Sequence, residues 1–314
     1  MRLALDHDIA QPAHPPMTRM AALLPVYLLA LGCGGKAGDS RILDGLEDPR
    51  AMAAADSGLY VADDYRLLQV PLTGGDSRVL DQADVTHIAA DATHVYYTAR
   101  IAGPTVGDGV VEIRRVAASG GAPTVLATDW WVLDLAIDGT HVYWAGTDLK
   151  RVPKVGGTPE VLSQLGASDL SLAGDHVVFT THDAIRRVPR AGGAVESLAE
   201  GRPDPSEPVV AAGSLFWREG GLRQRSRLMR APIGGPAKQV LLEGDASVGQ
   251  LEWSGDLFVL DHAHERILRI PMSGAPSVLA TATRPSRIAL HKGYLYVSEE
   301  SIGSRKAGVR GVKL

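Results

Sequence analysis

Four carboxylates recur at one position of this sequence. Asp63, Glu219, Asp261 and Glu299 each stand three residues beyond an aromatic side chain, Tyr60, Phe216, Phe258 and Tyr296, in a short run of β-forming residues. With Asp64 and Glu300 beside them they form an oxygen-rich set, the type that attracts a divalent cation, an amine or a basic peptide. Acidic residues at strand ends equally suit a structural task, accepting hydrogen bonds from loop amides. On either reading, alanine at all four positions is expected to leave folding intact. His262-Ala263-His264-Glu265 follows Asp261 directly and is the densest run of metal-ligand types. Alternate residues of an extended segment face one side, so His262 and His264 can meet one ion, with no third or fourth ligand identifiable. Trp130-Trp131 follows Thr128-Asp129. An indole there either stacks on a sugar or peptide ring or packs against the neighbouring element.

Two phrases alternate along the chain and supply the elements that must position these groups. One is a Val-Pro or similar pair, two variable residues, one or two glycines and a strand ending in Val-Leu, as in Val70 to Gly75, Val152 to Gly157 and Val188 to Gly193. Its glycines Gly74, Gly120, Gly156, Gly192, Gly235 and Gly274 are 36 to 46 residues apart, the period of a four-stranded propeller blade. The other phrase is an aromatic strand, as in Asp91 to Tyr97, Asp138 to Trp144 and Gly174 to Phe179, with weaker copies at Tyr60, Phe216, Phe258 and Tyr296. His94, His141 and His176 share one place before it, so blade structure explains their recurrence.

Each blade then reads as an inner apolar strand such as Leu133 to Ile137, a tight Asp/Gly turn, the aromatic strand, a longer loop, the Val-Pro strand, a glycine hairpin and an outer strand. Sustained helical periodicity is missing after residue 40. The expected fold is an all-β propeller of about seven four-stranded blades, with six or eight if one copy is misread. Asp39 to Asp44 nearly duplicates Asp76 to Asp81, so the first segment should lie beside the final strand, Val309 to Leu314, and close the ring. An open ring would leave blade edges unpaired.

These Asp-x-Thr-His-Val-Tyr-Trp strands and Val-Pro-x-x-Gly-Gly hairpins resemble a group of bacterial envelope propellers in the style of the NHL, YWTD and TolB-like repeats. The resemblance covers residues 39 to 314 and implies a fold whose members include scaffolds, ligand receptors, lactonases and lyases. Ligands of such propellers bind where the loops after the aromatic strands and between blades surround the channel mouth. Propeller lactonases hold a divalent ion with Glu, Asn and Asp, and the mature chain here has no asparagine.

Cys33 is the single cysteine, so neither a disulfide within the chain nor a cysteine-based zinc site can form. Thr18-Arg19, an apolar run from Met20 to Leu31 and Ala30-Leu31-Gly32-Cys33 resemble a bacterial lipoprotein signal and its lipobox. That resemblance implies cleavage behind Gly32, lipid on the Cys33 thiol and a tether in the cell envelope, with Gly34 favouring the outer membrane. Asp6, Asp8 and the prolines of residues 1 to 16 fit no signal, which points to Met17 as the start. Residues 1–33 are thus read as signal, 34–38 as linker and 39–314 as one propeller.

The formal net charge of −4 argues against nucleic acid, which needs clustered Lys and Arg. Nucleophile-elbow, phosphate-loop and zinc-enzyme motifs are missing, and no catalytic residue or cofactor beyond a possible divalent cation is indicated. The expectation is a binding or scaffold propeller for an envelope protein, peptide or glycan. The alternative is a cation-dependent lactonase, hydrolase or lyase at the channel mouth.

Overall fold

The computed structural model describes residues 39–314 except 102–108, 221–225, 236–237, 244–245 and 305. The signal, lipobox and linker, Cys33 included, lie outside the described residues. The strands form seven four-stranded antiparallel sheets, six of them running in chain order from an innermost to an outermost strand. Blades 1 to 6 have innermost strands Pro49–Ala55, Asp84–Ala90, Val132–Ile137, Leu170–Ala173, Ser206–Ala211 and Val248–Ser254.

Blade 7 is made from both ends of the chain. Its inner three strands are Pro285–His291, Tyr294–Glu299 and Ala307–Lys313, and Asp39–Leu46 is its outermost strand. Asp39 lies opposite Val312, Arg41 opposite Arg310 and Leu43 opposite Val309. The duplicated Asp-Ser-Arg-x-Leu-Asp segment therefore does what its likeness to blade 1's outer strand implies. Arg310 also pairs with Asp39 at 2.7 Å, bridging strands 271 positions apart.

The apolar core lies between neighbouring sheets, because each blade buries both faces and cannot do so alone. Tyr60, Leu67 and Leu80 of blade 1 pack on Val85, Val95 and Tyr97 of blade 2. Trp144 of blade 3 packs on Tyr96, Ile113 and Leu126 of blade 2. Each such buried aromatic removes roughly 150–250 Å² from water, worth about 4–6 kcal/mol before entropy is charged.

Both recurring phrases have a local cause. Gly74 and Gly156 donate to the carbonyls of Pro71 and Pro153 at 2.9 Å, and both hold positive φ, 83° and 93°, which only glycine takes without strain. In the Asp-x-Thr-His turns, Asp91 Oδ1 accepts from the amides of Thr93 and His94 at 2.9 Å each, and Asp138 Oδ1 does the same for Thr140 and His141 at 2.8 Å. Burial alone would raise the Asp91 pKa, but Lys154 and those amides hold the carboxyl well below the usual range. The histidines complete the turns: His94 and His141 place Nδ1 2.9 and 2.8 Å from the preceding threonine hydroxyls.

Candidate functional site

Loops that follow the second strands and loops that join blades gather on one face, the upper face. Asp63, Glu219, Asp261 and Glu299 stand at the upper ends of second strands in blades 1, 5, 6 and 7 and are buried. Asp63 Oδ1 accepts from the amides of Glu47 and Asp48 at 2.8 and 2.7 Å, and Oδ2 meets Arg66 at 2.6 Å. Asp261 Oδ1 accepts from the Ser247 amide at 3.2 Å, and Oδ2 meets Arg266 and His264 at 2.9 and 2.8 Å. Glu299 takes the Thr283 amide at 3.1 Å and Arg41 at 3.0 Å. Glu219 takes the Trp217 indole N–H at 3.0 Å, with Arg202 and Arg227 each 3.5 Å away.

Three of the four therefore tie the incoming inter-blade loop to its own blade. The structure does not bring the four together. Among the described residues, no three of His, Cys, Asp and Glu are placed to share an ion. His262 and His264 also part, since His264 bonds to Asp261 while the His262 ring donates from Nδ1 to the Pro285 carbonyl at 2.9 Å. Their burial corrects the expectation that alanine here is harmless, because removing such an acceptor leaves amides and guanidinium groups unpaired.

The innermost strands surround a central channel, and in six of them the pairing register slips by one residue near the upper end, with two innermost-strand residues standing opposite one in blades 2, 5 and 6. A bulge turns side chains out of the regular alternation and re-aims them. The resulting cavity of about 320 Å³ is lined by His87, Asp134, Asp169, Glu207, Arg218 and Arg287, among others. These acids are partly accessible from the channel but enclosed by protein, so the charged form is poorly solvated.

Burial, then the negative charges of Asp169 and Asp134, pushes Glu207 up to about 8. Burial with Asp169 nearby takes Asp134 to about 7. Burial and the charge of Arg287 bring His87 down to about 4. At neutral pH the cavity thus contains a protonated carboxyl, a neutral imidazole and two guanidinium groups, which is acid/base equipment. Glu207 is also held at φ 54°, directly before Pro208, a backbone strain that tends to collect at functional positions. None of these groups was singled out from the sequence; the available signal was a lone carboxylate in an otherwise apolar inner strand, as in Leu133-Asp134-Leu135.

Glu207 makes a pH-dependent prediction. The folded protein holds its proton to about pH 8, whereas an unfolded glutamate releases it near 4.5. Stability should therefore fall as pH rises between these values and level off above them. Glu207→Gln removes that loss, so its melting temperature relative to the parent should climb between pH 5 and 8.5. An equal difference at both pH values would show that Glu207 carries no such proton.

Over blades 1, 2 and 3 the upper face opens into a groove of about 960 Å³. Tyr65, Trp130 and Trp131 line it and are 60%, 69% and 58% exposed, beside Ile101 and Leu133. Of the expected ligand-face residues, Asp64, Trp130 and Trp131 meet here, whereas Glu300 pairs with Arg284 at 2.8 Å in a separate pocket between blades 6 and 7. The two indoles face solvent instead of packing on a blade. Gly146 sets their place: a Cβ there would overlap the Trp131 carbonyl, so the loop can lie against the second strand of blade 3 only over glycine. Below it, the Trp144 indole and Lys150 both donate to Asp129 Oδ2, at 2.8 and 3.0 Å, anchoring the residue before Trp130.

Fold and upper face together define a seven-bladed β-propeller with a polar channel and an aromatic groove. No protein-family model matches the chain, and no curated protein matches it in sequence. Solved bacterial propellers share the architecture. A streptogramin B lyase superposes with TM-score 0.65 at 12% identity, covering 88% of this chain and 98% of that one. BamB from Moraxella catarrhalis gives 0.55 at 11%, covering 85% and 86%. PorZ, a surface component of the type-IX secretion system of Porphyromonas gingivalis, gives 0.60 at 12%, covering 82% of this chain and 36% of that one. At such identities the likeness is one of fold.

Proposed function

We propose that this protein is a ligand-binding propeller of the bacterial cell envelope, exported and held by lipid on Cys33, that takes a protein, peptide or glycan on its upper face. The observation that carries the reading is the groove over blades 1 to 3. Three large aromatic side chains stand in water there, although the fold buries Trp144, Trp217, Tyr97 and Phe179. Exposed aromatic clusters of this kind mark binding sites. The lipobox-like segment and the envelope setting of PorZ support the location.

The test uses the indoles as reporters. Envelope protein, peptidoglycan and polysaccharide fractions are titrated while tryptophan emission is followed. At least one fraction should quench and shift it, and Trp130→Ala/Trp131→Ala, followed by surface plasmon resonance beside the parent because it lacks the reporters, should bind at least about tenfold more weakly, as loss of a central aromatic anchor does. Unchanged affinity in the double variant would remove the groove as the site.

A second reading, a lyase or hydrolase working at the channel mouth, is favoured by one observation. Glu207, which burial pushes up to about 8, and His87, which burial brings down to about 4, line the same cavity. In that reading Glu207 is the proton donor, His87 the acceptor, and Arg218 and Arg287 neutralise an anionic substrate or intermediate. A screen of lactones and esters in which any turnover survives Glu207→Gln unchanged would dispose of it.

A further inference from the structure

The groove over blades 1 to 3 is equipped for more than apolar contact. Tyr65 sits at its edge in a two-residue hairpin between the paired residues Asp63 and Arg66. Both central residues have positive φ, 39° for Asp64 and 62° for Tyr65. That turn is ordinarily filled by Asn-Gly or Asp-Gly, and a tyrosine in the second place is strained. The strain holds an aromatic ring out in water, where it adds little to folding; the Arg50 guanidinium lies over it at 5.7 Å.

The charges around the rings are unevenly satisfied. Arg66 pairs with Asp63, Arg114 with Asp81 and Glu112, and Asp84 with Arg50. Arg100 and Asp64 also line the groove, are exposed, and have no ion-pair partner among the described residues. A ligand meets one available guanidinium, whose planar fork matches a carboxylate, and one available carboxylate, which accepts from hydroxyl groups. Main-chain ladder groups are not on offer. The outermost strands Arg78–Asp81 and Thr124–Asp129 contribute nothing to the lining, so an extended peptide has no strand edge to join.

Taking the groove as the ligand site, as proposed above, we infer that its occupant is an acidic oligosaccharide, with sugar faces on Tyr65, Trp130 and Trp131 and a sugar carboxylate on Arg100. The C–H face of a pyranose is apolar and slightly positive, which suits the negative face of an aromatic ring. Asp64 and Gln82 accept from and donate to the ring hydroxyls at the groove edge. A proline-rich peptide would use the same rings but leave Arg100 and Asp64 without partners.

The full chain is titrated by tryptophan quenching with oligogalacturonate, with oligosialic acid, with a neutral cello-oligosaccharide of matched length and with a proline-rich peptide. One acidic glycan should bind at least about tenfold tighter than the neutral one, a typical contribution of one charge-assisted contact. Arg100→Gln should erase that margin and leave neutral binding unchanged. High salt should shrink it in the parent protein only. Equal affinity for neutral and acidic glycans, preference for the peptide, or no binding of either acid overturns the inference. In the first two cases the groove still stands as a binding site. It falls as one only if Trp130→Ala/Trp131→Ala, read by calorimetry because its reporters are gone, leaves every affinity unchanged. Since Arg100, Trp130 and Trp131 are exposed, melting curves matching the parent's will confirm that the variants fold.

Discussion

Deletion of Asp39–Leu46 should lower the melting temperature by about 10 °C and leave a protein that self-associates. The strand buries Ile42 and Leu46 against Met52, Leu59 and Val61 of blade 1, so it holds the two ends of the ring together as well as completing blade 7. Losing two buried aliphatic side chains costs roughly 3–6 kcal/mol. The ladder to Ala307–Lys313 and the Arg310–Asp39 ion pair go with them. The bared strand contains the buried residues Val309 and Val312 and presents free N–H and C=O groups, an edge for pairing with another molecule. Ile42→Asp should reproduce most of the loss without shortening the chain. A truncated protein that melts within a degree or two of the parent and stays monomeric in sedimentation would show that the ring is closed by something else.

Asp261→Ala is expected to cost about 3 kcal/mol, near the lower end for breaking a buried ion pair. The carboxylate is 0% exposed, and its loss strips the Ser247 amide and Arg266 of partners in one step. Arg266 is partly exposed and can turn toward water, which is why the larger values of that range are not expected. A fall of roughly 6–12 °C in melting temperature follows for a chain of this size. Asp261→Asn should fall between the two, since its carbonyl still takes the Ser247 amide while the charge facing Arg266 and His264 is gone. Urea titration provides the check: a midpoint shift at constant slope reads the loss directly. Equal midpoints for parent and Asp261→Ala would return this carboxylate to the status of a solvated loop acid.

The two results bear on function as well as folding. Asp63, Asp261 and Glu299 fasten inter-blade loops of the upper face, and Asp129 fastens the one that bears Trp130 and Trp131 in the groove. At the rim of the channel, Gly249 lies so close to the His262 ring that any Cβ would overlap it, so ring and loop are fitted to one another. A preformed groove keeps the entropy cost of binding low.

Blade architecture was legible in the chain because each repeat uses the same local chemistry. Positive-φ glycines in the hairpins, Asp-x-Thr-His turns and aromatic second strands act over a few residues, and the near-duplication of the Arg41 and Arg78 segments revealed the ring closure. The position of the four carboxylates was legible too, as was the Trp130-Trp131 pair. Their surroundings were not. Whether Asp63 faces a cation or the amides of Glu47 and Asp48 depends on how the preceding loop folds back, and no spacing in the sequence encodes that. Asp134, Asp169 and Glu207 were invisible as a group because they belong to three different blades, and only closure of the ring makes them neighbours. Likewise Tyr65, Arg100 and Trp131 come from a hairpin turn, a strand and an inter-blade loop and become one groove when the blades stack. Local hydrogen bonding and side-chain alternation thus determined the strands, turns and number of blades, since those forces act between residues close in sequence. The tertiary structure alone decided which charges share a low-dielectric channel and which aromatic rings remain in water, since burial and electrostatic coupling depend on distances across the ring.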